Sequence, residues 1–160
     1  MEDTLHGAVS AADLPEFFAD LVRCETRLYN ALNDRLRERH GIVTSQYEFL
    51  DHLRRHPGCR VADVAAVFAI GVGATSKGVD RLEKQGWAAR RPNPADRRSS
   101  LLVLTDDGAR LVEAAERTFR EGLAELLAGA LDAPTLSATA RTLAALRSTL
   151  ERDQVGTPTG

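Results

Sequence analysis

The chain has 160 residues, 43% hydrophobic, 28% charged and 5% aromatic, with a formal net charge of −2; this is the balance of an ordinary globular protein with an aliphatic core, and it excludes collagen-like and low-complexity chains. Cys24 and Cys59 are too few for a disulfide scaffold and lack the C-x-x-C spacing of a zinc or redox site. No apolar run approaches the length of a membrane span, and Met1 to His6 lacks the basic-then-apolar order of a signal peptide, so the expected location is the cytoplasm, away from any membrane.

In chain order, Asp13 to Arg39 reads as one long helix. Leu14, Phe17, Leu21, Cys24, Leu28 and Ala31 recur three and four apart, while Phe18, Leu32 and Leu36 widen the stripe. Gly41 ends it. Thr44 or Ser45 caps a shorter helix, Ser45 with Glu48 forming a capping box, and His56-Pro57-Gly58 closes it. Val61, Val64, Ala65 and Phe68 then share one side, the pattern breaks at Gly71 and Gly73, and it resumes with Val72, Thr75, Val79 and Leu82. That spacing predicts two short amphipathic helices across a tight turn. Gly86 stops the second, since glycine takes positive φ without a Cβ clash.

Two short runs able to alternate, Trp87 to Arg91 and Leu101 to Leu104, bracket Pro92-Asn93-Pro94-Ala95-Asp96-Arg97-Arg98-Ser99, which predicts a β-hairpin with a long basic tip. Thr105 caps a further helix whose first turn carries Asp106 and Asp107 at the positive end of the dipole. Its stripe runs through Val112, Ala115, Phe119, Leu123, Leu126 or Leu127, and Ala130. Asp132 caps a last helix with Pro134 near its start and a stripe of Leu136, Ala140, Leu143 and Leu150.

The expected fold is mainly α with a small β-hairpin: six helices forming a winged helix-turn-helix plus a helical dimerisation region. Residues 43–120 are assigned to the winged domain, 10–42 and 121–153 to the dimerisation region, and 154–160 to a disordered tail. Helix, turn, helix and hairpin in this order place the second helix in a DNA major groove and the wing near a minor groove. The charge distribution agrees. From Pro57 to Thr105 eight bases face four acids, a surplus of four, which leaves the remainder of the chain at −6. A basic module on an acidic frame suits a DNA reader with a separate dimerisation region.

Three sequences carry a resemblance. Asn93 to Gly108, N-P-A-D-R-R-S-S-L-L-V-L-T-D-D-G, closely resembles the wing and following helix start of MarR-type regulators. Ala74 to Trp87, A-T-S-K-G-V-D-R-L-E-K-Q-G-W, resembles their recognition helix, and Thr44 to Leu50, T-S-Q-Y-E-F-L, the helix before it. The resemblance spans roughly Phe17 to Leu150 and implies a homodimer built from the first and last helices, double-stranded DNA as partner, and a repressor relieved by a small-molecule effector at a palindromic operator. The alternative is a redox- or ligand-sensing winged-helix protein that acts through protein contacts or without sequence-specific DNA binding.

On the recognition helix, Thr75, Val79 and Leu82 point inward, which turns Ala74, Lys77, Arg81 and Lys84 outward with Ser76 at the flank. Small residues at the helix start admit the base edges, Ser76 and Lys77 can donate to purine acceptors, and Arg81 and Lys84 meet phosphate. The resemblance gives Asp96 the role of bracing the wing tip by pairing with a guanidinium, and gives Arg98, with Arg97 as the alternative, the minor-groove contact. It also places an effector pocket near Phe17, Leu21 and Tyr47.

Cys24 is expected to be a buried packing residue rather than a redox sensor, because Tyr29 lies off its face and no base is adjacent. His52 and His56 stand i and i+4, but no third ligand is specified, so no metal is assigned, and no cofactor. The chain has no phosphate loop and no G-x-S-x-G elbow, and an enzyme is not expected.

Overall fold

A computed structural model describes residues 13–158. The elements are α1 (Asp13–His40), α2 (Thr44–Arg55), α3 (Val61–Phe68), α4 (Val72–Lys84), β1 (Ala88–Pro92), β2 (Ser100–Leu104), α5 (Asp106–Ala128) and α6 (Ala133–Arg152). Six helices and one antiparallel hairpin are thus the described architecture, as the sequence pattern predicts. No single described helix is long and apolar enough to cross a membrane.

The core sits where α2, α4, the hairpin and the first half of α5 meet the end of α1. Leu36, Ile42, Leu50, Leu53, Val64, Val79, Leu82, Leu102 and Val112 are all buried there. These are aliphatic side chains drawn from every helix except α6 and from the hairpin, so the winged domain closes around one small core, and the C-terminal half of α1 belongs to it. At about 1.5–3 kcal/mol for each such side chain buried, this cluster dominates the stability of the winged domain.

Helix boundaries differ from the sequence reading in instructive places. The α2 N-cap is Val43, not Thr44 or Ser45, and its N–H donates to Gln46 Oε1 at 3.0 Å, so the reciprocal half of the box comes from Gln46 rather than Glu48. Thr44 is buried because its N–H donates to Asn33 Oδ1 at 3.0 Å, which stitches α2 to α1. The turn between α3 and α4 hinges on Ala69, in left-handed conformation at φ 51°, whereas Gly73 is helical and Val72 is 54% exposed rather than part of the inner stripe. The two helices meet at 114°, within the range of helix-turn-helix motifs.

The hairpin register runs from Ala88 opposite Leu104 to Pro92 opposite Ser100. A further bridge, which no local pattern signals, pairs Cys59 with Leu102: Gly58 N donates to Leu102 O at 2.8 Å and Leu102 N to Cys59 O at 2.7 Å. The α2–α3 connection therefore anchors the wing's second strand.

Helix α5 passes unbroken through residues 120 and 121, where the sequence reading places a domain boundary, and packs along α1 at Gly122, whose missing side chain admits Leu32 and Arg35. Residues 10–12 of the proposed dimerisation region lie outside the described residues. After Arg152, Val155 N donates to Leu150 O at 2.9 Å, so the start of the segment assigned to a tail folds back to cap α6. Thr159 and Gly160 lie outside the described residues.

Gly108 is the tightest backbone approach. A Cβ there would stand 1.9 Å from the Trp87 carbonyl oxygen. Helix propensity alone favours Gly108→Ala by about 1 kcal/mol, yet overpacking against a backbone oxygen costs about 3 kcal/mol or more. The substitution is expected to destabilise the protein, read as a lower urea midpoint; an unchanged or raised midpoint would mean that α5 does not dock here.

Candidate nucleic-acid interface

The recognition helix presents its faces as the spacing predicts. Thr75, Val79 and Leu82 are buried, and Ala74, Lys77, Arg81 and Lys84 are exposed. Thr75 anchors the helix start by donating from Oγ1 to Gly71 O at 2.9 Å. Gly78 lets the Phe49 ring lie against the helix, since a Cβ there would come within 2.8 Å of the ring edge. Ala74 and Arg81 flank a shallow hollow between α4 and the start of α2, while Lys77 and Lys84 stand clear of it.

Ser76 is half-buried and turned toward the wing. Its hydroxyl lies 3.5 Å from the Arg90 guanidinium, a long and weak contact. Arg90 is the residue that sequence reasoning missed. It pairs with Asp80 at 2.8 Å and with Glu83 at 2.9 Å, so β1 is clamped to α4. The signal was available: Asp80 and Glu83 are i and i+3, and so share one helix face with a flanking Ser76.

The wing tip folds on its own polar groups. Asn93 Oδ1 accepts from Ala95 N at 3.0 Å, and Asn93 Nδ2 donates to Ser99 Oγ at 2.9 Å. Asp96 accepts the Arg98 backbone N–H at 2.9 Å and approaches the Arg98 guanidinium only at 3.4 Å. The brace is thus chiefly a turn held by a backbone N–H, with the guanidinium pairing second. The Arg98 side chain is 93% exposed despite that contact. Arg97 is exposed and forms no hydrogen bond or ion pair among the described residues.

Arg60 lies at the start of α3 and is held by Asp63, which accepts both its backbone N–H and its guanidinium at 2.8 Å. Those hydrogen bonds hold the Asp63 carboxyl below its ordinary range. Of the eight bases in the module, Arg60 and Arg90 are therefore neutralised within it, Arg98 is loosely paired, and Lys77, Arg81, Lys84, Arg91 and Arg97 have no ion-pair partner among the described residues.

The pocket residues named by resemblance separate. A cavity of about 430 Å³ opens between α2 and α5, lined by Tyr47, Glu48, His52, Phe68, Phe119 and Leu123 among others. Tyr47 forms its floor, stacked on Phe119 with ring centroids 4.5 Å apart. Neither Phe17 nor Leu21 reaches it, and Phe17 is 59% exposed. The Tyr29 hydroxyl donates to Glu48 Oε2 at 3.2 Å beside it, and burial together with the Glu48 charge pushes the Tyr29 hydroxyl up to about 12. Burial also raises the Glu48 carboxyl.

Cys24 is exposed on the protomer, on a stretch of α1 that nothing described within one chain covers, so its burial as a packing residue depends on the second copy that the resemblance implies. The His52 and His56 rings lie with centroids 4.5 Å apart, tilted by 46°, with His52 also edge-on to Phe68, and no group of three potential metal ligands occurs among the described residues.

His52 is pushed below its ordinary value, first by burial and then by the His56 charge. Because its unfolded value is the higher one, the folded state binds fewer protons, and stability present above about pH 6.5 declines as pH falls through that value. His52→Gln is expected to flatten part of the fall in stability between about pH 7 and pH 5, measured by urea unfolding at each pH. An identical pH slope in both proteins would remove His52 from the acid response.

A sequence model described as MarR family matches residues 40–99. The multiple antibiotic resistance protein MarR of Salmonella typhimurium is 35% identical over 72 residues, 45% of this chain and 50% of that protein. The aligned stretch thus spans about half the length of that relative. Among solved structures, wild-type apo MarR from E. coli is 25% identical with a TM-score of 0.69, over 80% of this chain and 95% of that one. Sco3205 of Streptomyces coelicolor, a MarR family transcriptional regulator solved in complex with DNA, has a TM-score of 0.78 over 89% of this chain and 90% of that one, and at 22% identity it shares the fold.

Proposed function

We infer that the chain is a dimeric DNA-binding transcriptional regulator of the MarR type, from its similarity to MarR family proteins and from the convergence of its unpaired cations on α4 and the wing. The observation that carries the reading is this convergence. Lys77 and Lys84 project from the exposed side of α4, and Arg97 and Arg98 crown the wing that follows it, the order in which a winged helix-turn-helix meets two grooves. A protein of this fold has been solved in complex with DNA, which fits the same division of labour.

Ala74 and the glycines at the helix start admit base edges, Lys77 with Ser76 at the flank faces them, and Arg81 and Lys84 contact phosphate. Arg97, the freer of the tip arginines, joins Arg98 in the minor groove, where narrow A·T steps concentrate negative potential. A small-molecule effector enters between α2 and α5, because that cavity touches both the helix before the recognition motif and the long helix that leaves the winged domain. Displacing either helix there moves α4, which favours a repressor relieved by its ligand over a sensor without DNA binding.

The dimer follows from α6. None of its residues is buried in the protomer, and Leu136, Leu143, Leu146 and Leu150 are each at least 40% exposed. An isolated helix of this length is marginal in water, and covering each leucine recovers roughly 1 kcal/mol. A second copy, bringing its own α6 and the exposed Leu14, Phe17 and Phe18 of α1, covers them.

The test is selection of bound DNA from a random pool, followed by titration over a range of salt. The selected site is expected to be an inverted repeat with half-sites about 10 base pairs apart. Lys77→Ala is expected to relax preference at one position per half-site, at about 1–3 kcal/mol. The double variant Arg97→Ala, Arg98→Ala is expected to weaken all sites and lower the salt slope by roughly 0.9 for each phosphate left without its cation. Absence of any enriched sequence would sink the reading.

For the dimer, Leu143→Glu with Leu150→Glu is expected to lower the mass by light scattering to that of a monomer, or to leave the protein insoluble. A wild-type chain that is monomeric at micromolar concentration would overturn it.

A further inference from the structure

Arg90 is a basic residue at the centre of a basic module, yet its geometry is that of a clamp. Its Nη2 lies 2.8 Å from Asp80 Oδ1 and its Nη1 2.9 Å from Glu83 Oε1. Its backbone N–H donates to Glu83 Oε2 at 3.1 Å, so Glu83 grips both the main chain and the side chain of the same strand residue. The side chain is only 24% exposed, against 93% for Arg98 at the wing tip. With both carboxylates on α4 and the guanidinium on β1, the planar fork spans one helical turn, a geometry that a point-charge ammonium cannot reproduce.

This contact lies midway between the two groups of side chains assigned to DNA. Toward the start of α4 stand Ser76 and Lys77, and beyond Arg90 the strand continues through Arg91 to the tip arginines. A rotation of the hairpin about its base carries Arg97 and Arg98 away from the groove next to the one α4 occupies, and the α4–β1 ion pairs are what oppose it on the solvent side. On the core side the hairpin is held by Ala88 at its base and by Leu102 at its middle, opposite Arg90, which leaves the pairs beyond them, Arg91 with Leu101 and Pro92 with Ser100, without a buried anchor against a twist about the strand direction.

We propose that Arg90 is a positioning residue of the DNA interface, which contacts no phosphate and instead sets the angle between recognition helix and wing, so that both grooves are read in one register. The proposal rests on the DNA-binding reading above. A structural arginine and a phosphate-binding arginine differ in one measurable respect: only the second releases counterions on binding.

The experiment titrates the selected site and an unrelated duplex over a range of salt with the full-length wild type, Arg90→Ala, Arg90→Lys and the pair Asp80→Asn with Glu83→Gln, each first checked for a cooperative thermal transition. Arg90→Ala is expected to lose about tenfold or more on the selected site, the scale of one good base contact, with little loss on the unrelated duplex and an unchanged salt slope. Arg90→Lys is expected to remain impaired on the selected site. The Asp80, Glu83 pair is expected to lose selectivity too, although it removes negative charge beside the DNA. If Arg90→Ala does not fold, the other two variants carry the test.

Equal loss on both duplexes with the slope reduced by about 0.9 would make Arg90 a phosphate contact. Full rescue by lysine, or tighter binding by the charge-neutral pair, would likewise overturn the proposal. A wild type that binds neither duplex would overturn the DNA-binding reading itself, and this inference with it, which is a different result from a wild type that binds while Arg90→Ala behaves identically.

Discussion

The interface depends on the junction where α4 ends, the wing begins and α5 starts. Gly86, at φ +78°, turns the chain out of α4, and Trp87 N donates back to Leu82 O at 3.0 Å. Thr105 then closes the hairpin onto this turn: its N–H donates to Trp87 O at 3.1 Å, its hydroxyl donates to Gly86 O at 2.6 Å, and the same hydroxyl oxygen accepts from Gly108 N at 3.0 Å to cap α5. One residue thereby fixes the end of the recognition helix, the base of the wing and the start of the helix that leaves the winged domain. The arrangement closes only because position 108 has no Cβ. A shift of α5 would be transmitted to α4 through these hydrogen bonds rather than through a compliant loop, which on the proposed reading gives an effector between α2 and α5 mechanical purchase on the recognition helix.

Electrostatics in the module is a matter of which charges are left over. A net charge of −2 for the chain says nothing about DNA affinity, and even the surplus of four in the winged segment misleads, because cations already paired with carboxylates release few counterions. Arg60 is consumed in starting α3 and Arg90 in joining α4 to β1. The cations that remain lie along one side of α4 and on the wing. The acids that pair with the others lie within the same segment, so they orient structure there without cancelling the outward field. Exposed ion pairs of this kind contribute little stability, at most about 1 kcal/mol each, so their consequence is geometric.

Much of this was legible in the sequence because it is local. The 3.6-residue period of Thr75, Val79 and Leu82, the Thr105 and Asp132 caps, and the hairpin between Trp87 and Leu104 each depend on residues a few positions apart, and the structure has all of them. What was not legible depends on contacts distant in sequence. Asn33 on α1 takes the Thr44 N–H and Gln46 takes that of Val43, so Val43 becomes the N-cap and the helix starts one residue early. The Cys59–Leu102 bridge joins segments far apart in the chain and leaves no periodic trace. Ala69 adopts the left-handed turn although two glycines stand close by, because Ala69 N and Ile70 N must reach the last carbonyls of α3. Arg90 reads as a free base in the sequence for the same reason: composition records its charge, and only the fold brings Asp80 and Glu83 to it.

The exposed cysteine points to the last constraint. Cys24, Phe17, Phe18 and Val22 lie on a stretch of α1 that no other part of the described chain covers, and α6 is equally bare. The C-terminal half of α1 is buried in the winged core while the N-terminal half projects from it, so the helix is half domain and half handle. Helix α5 is built the same way, buried from Gly108 to Gly122 and largely exposed beyond. Two handles and a loosely packed α6 emerging from one core supply the apolar surface that the proposed dimer would cover. Since α1 and α5 run without a break from that surface into the core, the spacing between two recognition helices in a dimer is set by helix length and crossing angle, not by a linker. On the DNA-binding reading proposed above, half-site spacing is then a property of α1 and α5, and a ligand that altered their crossing would alter DNA affinity without touching a single DNA contact.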